Sequence, residues 1–333
     1  MNQIININIL NIIYINILMS EFINSNAFLL LVWSNKNSSI FGRACKTVSK
    51  EFDHADTVGI VYDDFDTKGE IEKKWKTQHN NLKIYSVAPR KYTVKMDDKI
   101  NLSEIMGKSE YIPKWYLKYD DISKDTDPNQ LFYVKKRGST ASKGVYLHKY
   151  SNMNIVDTSN SVIQEDLNNP YLYENRRFKI RAYVLIFQNS IFINRKAWCS
   201  LGALDYRKAD DTTTPEDIEK INIIYQSPGR KWFNFKEIPD YEEIFTNMCN
   251  SCNDIYENFQ DKISNYKDTE YSILGVDYVI DDLNQPFIIE INHRSNYAHP
   301  KEIVDTVDLP AIEDTFRVLI QNNEYNTDYV KIM

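Results

Sequence analysis

The sequence predicts an α/β protein with a parallel, helix-flanked N-terminal part and a mostly antiparallel remainder. Three observations carry this. Apolar strands alternate with helical stretches up to about Met106, which is the signature of βαβα units. After Tyr111 the pattern changes to strands separated by acidic and Asn-rich turns. At 333 residues the chain also exceeds what one core usually holds, so more than one compact part is expected.

The elements follow in order. FLLLVWS predicts a first strand, Phe41 to Phe52 a helix, TVGIVYDD a second strand and KGEIEKKWKTQH a charged helix. LKIYSVA and a helical stretch near Leu102 to Met106 complete this part. No G-x-G-x-x-G follows the first strand, which excludes a dinucleotide fingerprint there. YIPKWYLKYDD, QLFYVKKRG, GVYLHKY and VIQEDL read as antiparallel strands. KIRAYVLIFQ pairs with SIFINRKAW, and a loop rich in Asp and Thr follows from Asp205 to Asp217. A helix is expected from Tyr241 to Lys262, a hairpin of YSILGVDYVID against PFIIEIN, and a last helix near Pro310 to Gln321.

Composition narrows the class. With 42% hydrophobic and 26% charged residues the chain is globular and not disordered. A net charge of -7 argues against gripping nucleic-acid phosphates as the main task, so no nucleic-acid partner is expected. Four scattered cysteines do not make a disulfide framework, which points to a reducing, cytoplasmic setting. Cys249 and Cys252 form a C-x-x-C but lie on the expected helix without a second pair at zinc spacing, and read as plain thiols. Residues 1–20 are rich in Ile and Asn and fit neither a signal peptide nor a membrane span, so no membrane partner is expected. They read as a leader, with Met19 an alternative start.

Three segments carry chemistry. In FYVKKRGSTASKGVYL, Lys135 ends a strand, and a loop of small and basic residues leads through Lys143 to a returning strand at Gly144. Small residues let backbone approach phosphates, and the two lysines supply charge; the alternative is a basic turn with solvated lysines. On the late hairpin, period-2 alternation puts Asp277, Val279 and Asp281 on one face, and Ile288, Glu290 and Asn292 on one face of the neighbouring strand. Apolar flanks imply burial, where carboxylates need a cation: magnesium shared with phosphates, or pairing to Arg176, Arg177 or Arg181. In VIQEDLNNPYLYENRRFKIRAYVLI, Arg177, Lys179 and Arg181 share a face and suit a polyphosphate, unless the strand is a solvated edge.

Taken together, these segments resemble the tubulin-tyrosine ligase-like family. Lys135 to Gly144 is similar to its K-P-x(7)-G-I element. VIQEDLNNPYLYENRRFKIRAYVLI resembles V-Q-x-Y-I-x-N-P followed by G-R-K-F-D-I-R-x-Y-V-L, and GVD and EIN match its G-x-D and E-x-N. The resemblance implies the ATP-grasp fold, with residues 21–110 an N-terminal α/β domain, 111–165 a central lobe and 166–333 a C-terminal lobe, ATP lying between two antiparallel sheets. It implies an ATP- and magnesium-dependent amide ligase that forms an acyl phosphate and joins an amino acid to a protein or peptide, tubulin being one candidate acceptor.

Carried over, Lys135, Lys143 and Gly144 would hold phosphate, and Gln164, Glu165, Asp166 and Leu167 would border adenine. Arg177, Lys179 and Arg181 would contact nucleotide or acyl phosphate, with Arg177, Arg181 and Glu290 as catalytic residues. Asp277, Glu290 and Asn292 would hold magnesium. The chain departs from the pattern where Lys179 stands for the acid of F-D-I-R, Lys136 for a proline, and Ala141 and Ser142 for an R-G pair. Two other readings stay open: an ATP-grasp kinase acting on a small molecule, and a nucleotide-binding module without ligation.

Overall fold

The computed structural model describes residues 29–34, 38–52, 57–63, 67–138, 144–222, 229, 231–321 and 327–333. The chain divides into two compact units, one of Met1–Pro89, Tyr266–Ser272 and Asn296–Asp328, the other of Arg90–Asn265, Ile273–Ser295 and Tyr329–Met333.

The first unit holds the expected parallel strands, but the helical stretch at Leu102–Met106 that was expected to complete them belongs to the second unit. Strands β1 (Leu29–Ser34), β2 (Thr57–Tyr62) and β3 (Leu82–Val87) pair in parallel, and Glu270 and Tyr271 continue the parallel register beside β3. Five of the six β2 residues are buried, as expected of a parallel strand covered on both faces. The helix Thr67–Gln78 seats Trp75 against Leu31, Val61 and Ile84. Gly59 makes that approach feasible, because a Cβ there would come within 2.9 Å of the Trp75 ring. The helices Ser38–Val48 and Leu309–Gln321 also belong to this unit.

The second unit holds two sheets. One is antiparallel with strand order β4-β7-β5-β6, built from β4 (Trp115–Tyr116), β5 (Leu131–Lys136), β6 (Val145–Lys149) and β7 (Ser161–Glu165). Alternation along β5 sends Phe132 and Val134 into a core with Ile122, Met153 and Ile163. Leu131 packs on the other face with Leu147 and Ile218, the last from a helix, Pro215–Asn222, that begins within the stretch read as a loop.

The other sheet is built on β8 (Phe178–Phe187), flanked by β9 (Ser190–Asn194), β10 (Trp198–Leu201) and β11 (Lys231–Asn234). The hairpin of β12 (Glu270–Ile280) and β13 (Pro286–Asn292) borders β8, and β14 (Tyr329–Lys331) pairs with β9. Nine of the ten β8 residues are buried, so it is a central strand and not a solvated edge.

The hairpin departs from strict alternation. Asp277 faces Glu290, but the next pair is Tyr278 with Ile288, so Ile289 is an extra residue and β13 carries a bulge. The bulge moves Ile288 off the Glu290–Asn292 face, where simple alternation had put it. The helix Tyr241–Ile263 lies in the same unit and presents Cys252, Tyr256 and Phe259 to the core. Both of its cysteines are free thiols, their pKa values pushed up by burial. No helix among the described residues is long and apolar enough to cross a membrane.

Candidate functional site

Every described residue expected at the site lies in the second unit, and Lys179, Arg181, Asp277, Glu290 and Asn292 belong to β8, β12 and β13. Lys135 ends β5 with only 8% of its surface exposed, and its ammonium donates to Gln164 Oε1 on β7 and to the Ile289 carbonyl at 3.3 Å. That carbonyl belongs to the bulge residue, so the irregularity in β13 supplies an acceptor that a regular ladder would have used up. Burial pushes the Lys135 pKa down to about 8; Glu290, Asp166 and Asp277 act in the opposite direction and Lys99 adds to the fall.

Period 2 places Lys179 and Arg181 on one face of β8, as read from sequence, while Arg177 stands immediately before the strand. Arg181 grips both oxygens of Asp277, with Nε on Oδ1 and Nη2 on Oδ2 at 2.9 Å. Lys179 Nζ adds a bond to the same Oδ2 at 2.8 Å. Asp277 has no exposed surface; burial alone would raise its pKa, and Arg181 and Lys179 outweigh that and hold it below the usual carboxylate range. Arg181 also lies over the Trp198 ring at 5.6 Å. Gly275 makes room for it, since a Cβ there would fall on Ser295 Oγ and within 2.9 Å of Arg181 Nη1.

Arg177 does something different. It forms a buried two-pronged pair with Asp166, at 2.8 and 2.7 Å, and stacks over Tyr206. Asp166, Leu167, Gln130, Leu131, Tyr206 and Lys208 line a small cleft at the end of β7, the edge where the adenine was expected. Glu165 lies 3.7 Å from Lys114. Gly144 adopts a positive φ of 74° and accepts from Lys136 N at 2.8 Å, closing the base of the β5–β6 loop. Lys143 lies outside the described residues.

Sequence reasoning missed the run Asp97–Asp98–Lys99. Asp97 holds His293 Nδ1 at 2.8 Å, immediately after the EIN element. Asp98 caps the helix Lys99–Met106 through Ile100 N and Asn101 N and also pairs with Arg137 at 2.7 Å. Lys99 lies 3.6 Å from Glu290. Asp98 before a helical stretch is a legible cap, but nothing near Lys99 in sequence points to Glu290.

Of the expected magnesium ligands, Asp277 does not fit a divalent cation as it is arranged. Both Asp277 oxygens are taken by guanidinium and ammonium groups. Glu290 faces Lys99, while the Asn292 amide nitrogen donates to the Gly275 carbonyl in a bond that does not involve its oxygen. Among the described residues no three His, Cys, Asp or Glu side chains form a metal-holding group. Lys99, Lys135, Lys179 and Arg181 set four cations against the two carboxylates Asp277 and Glu290, and a further cation would enter an already positive cluster.

The site of this mixed α/β protein thus gathers cationic side chains from β5, β8 and the helix Lys99–Met106 around two carboxylates. The comparisons with known proteins agree with the sequence resemblance. Residues 65–220 match the profile of the tubulin-tyrosine ligase family. A probable tubulin-tyrosine ligase of Schizosaccharomyces pombe is 24% identical over 180 residues, covering 49% of this chain and 41% of that protein. Tubulin glycylase 3D of Tetrahymena thermophila is 21% identical over 328 residues, covering 81% of this chain and 30% of that protein. The chain thus spans less than half the length of either curated relative.

Proposed function

We propose that this protein is an ATP-dependent carboxylate–amine ligase of the tubulin-tyrosine ligase kind, built on an ATP-grasp fold. The observation that supports it best is the cluster of Lys135, Lys99, Lys179 and Arg181, cationic side chains from β5, the helix Lys99–Met106 and β8 that gather around Asp277 and Glu290. In this reading residues 21–110 form the preceding α/β domain, and 111–165 and 166–333 form the two lobes. The nucleotide's phosphates lie against Lys135 and the loop through Lys143 to Gly144, and its base lies near Gln164 to Leu167.

In the reaction, a carboxylate oxygen of the acceptor attacks the γ-phosphorus of ATP, and ADP leaves. An amino acid's amine then attacks the acyl carbon, phosphate departs, the amine loses a proton and an amide remains. Positively charged side chains stabilise the charge that develops on the transferred phosphoryl group. Arg181 acts there directly, Arg177 fixes the cleft through Asp166, and Glu290 and Asn292 border the site. The acceptor is a protein or peptide in the cytoplasm, with tubulin one candidate.

A second reading, a nucleotide-binding module without ligation, is favoured by one observation, the Lys179–Asp277 pair where the resemblance expects two acids. One experiment separates them. The full chain is incubated with ATP, an acidic acceptor peptide and free amino acids, and ADP, phosphate and peptide mass are followed. Ligation gives ADP, phosphate and a peptide heavier by one residue; a binding module gives a thermal shift with ATP and no ADP. At one hundred times its dissociation constant ATP adds about 2.7 kcal/mol of stability, and no shift with ATP, ADP or GTP would sink both readings.

A further inference from the structure

We infer that Lys179 is a built-in cation: its ammonium occupies on Asp277 the place that a divalent metal would take, so the site handles phosphate without a metal ion on that carboxylate. The inference rests on the nucleotide reading above only for what the site binds; the part about the metal stands on geometry alone. A buried carboxylate needs compensation, and Asp277 has two compensating partners, neither of them a metal. Arg181 satisfies one edge in a fork. The remaining lone pair of Oδ2, the direction a metal would use, receives the Lys179 ammonium at 2.8 Å.

Lys179 is itself nearly enclosed, its side chain 11% exposed, so its charge is not dispersed into solvent. It belongs to β8 with Ser200 of β10 directly opposite, and its neighbour on the same face, Arg181, faces Trp198. An ammonium is a compact charge that rotates to offer three donors, which makes it the side chain closest in kind to a small hard cation. The resembled element carries an acid at this position. An acid there would set three carboxylates, Asp277, Glu290 and residue 179, against Arg181, Lys99 and Lys135, an arrangement more receptive to a divalent ion. The lysine reverses that balance with one substitution.

The test uses the full chain and Mn2+ as the probe, because Mn2+ takes the same oxygen ligands as magnesium and its free aquo ion is read by electron paramagnetic resonance. Wild type should leave Mn2+ free. Lys179→Asp should bind it at least about tenfold more tightly than wild type. Lys179→Gln, which opens the Asp277 oxygen without adding charge, should fall between the two, and circular dichroism checks that each variant is folded. Wild-type Mn2+ binding as tight as that of Lys179→Asp overturns the inference, and so does a folded Lys179→Asp that leaves Mn2+ free.

A second arm measures ATP affinity in magnesium and in EDTA. Wild type should change by less than about threefold and Lys179→Asp by more than about tenfold. A wild type that loses ATP in EDTA as sharply as Lys179→Asp overturns the inference. A chain that binds ATP in neither condition overturns the ligase reading instead, and the Mn2+ comparison still decides the role of Lys179.

Discussion

Lys135 is the residue whose titration can be followed through to binding. Its folded pKa, about 8, lies below the ordinary 10.5 because the ammonium is buried. If phosphates bind the charged form, affinity should hold at neutral pH and fall as Lys135 loses its proton. Between pH 7 and pH 9 the charged fraction drops from nearly all to about a tenth, so the dissociation constant should rise about tenfold, whereas a lysine of ordinary pKa would change it by only a few per cent. The stability effect has the opposite sense. The unfolded chain binds this proton more tightly than the folded one, so stability should rise as pH climbs from about 8 to 10.5, by roughly 3 kcal/mol from this group. Glu290, Lys99, Asp166, Asp277 and Tyr133 are the charged or titratable groups around it. The assay is calorimetric titration of ATP at constant ionic strength across these pH values, beside Lys135→Met. A tenfold loss in wild type that persists unchanged in Lys135→Met would refute the reasoning, because the titrating group would then lie elsewhere.

Gly275→Ala should destabilise the fold by about 1–3 kcal/mol, since its Cβ meets Ser295 Oγ and Arg181 Nη1 in a packed interior. Adding Ser295→Ala should recover part of that loss in urea unfolding, and full additivity would show that the two positions do not share space. Arg177→Met leaves Asp166 buried without its partner and should cost about 3–5 kcal/mol by the same assay, whereas a loss below 1 kcal/mol would mean water reaches the carboxylate.

Periodicity made much of this fold legible. The parallel β1–β3 part, the antiparallel strands after Tyr111, the long helix from Tyr241 and the late hairpin follow from runs whose residues bury on the faces the pattern selects. The shared face of Lys179 and Arg181 was equally plain. Their partners were not, because alternation fixes the direction of a side chain and says nothing about which acid lies opposite. Asp166 is eleven residues from Arg177, while Asp277 is ninety-six from Arg181, and the pairing to Arg181 was only one of the alternatives left open. The helix Arg90–Asp97 escaped notice because a short polar helix leaves a weak apolar stripe. The bulge escaped because FIIEIN is apolar enough to sit in either register. Site roles drawn from the family resemblance remain proposals for the experiments above.

The bulge at Ile289 has a consequence for how this site tolerates change. What Ile289 gives to the site is a backbone carbonyl and one unit of length, so its side chain is open to substitution by Val or Leu while Lys135 keeps its acceptor. Deleting the residue is another matter. A ladder without Ile289 keeps Glu290 opposite Asp277 and Ile288 opposite Tyr278, but it loses the bulge and the carbonyl that Lys135 uses. Point replacement at Ile289 is therefore mild and deletion severe, because the site uses the extra unit of backbone between Ile288 and Glu290 and not the side chain that it carries.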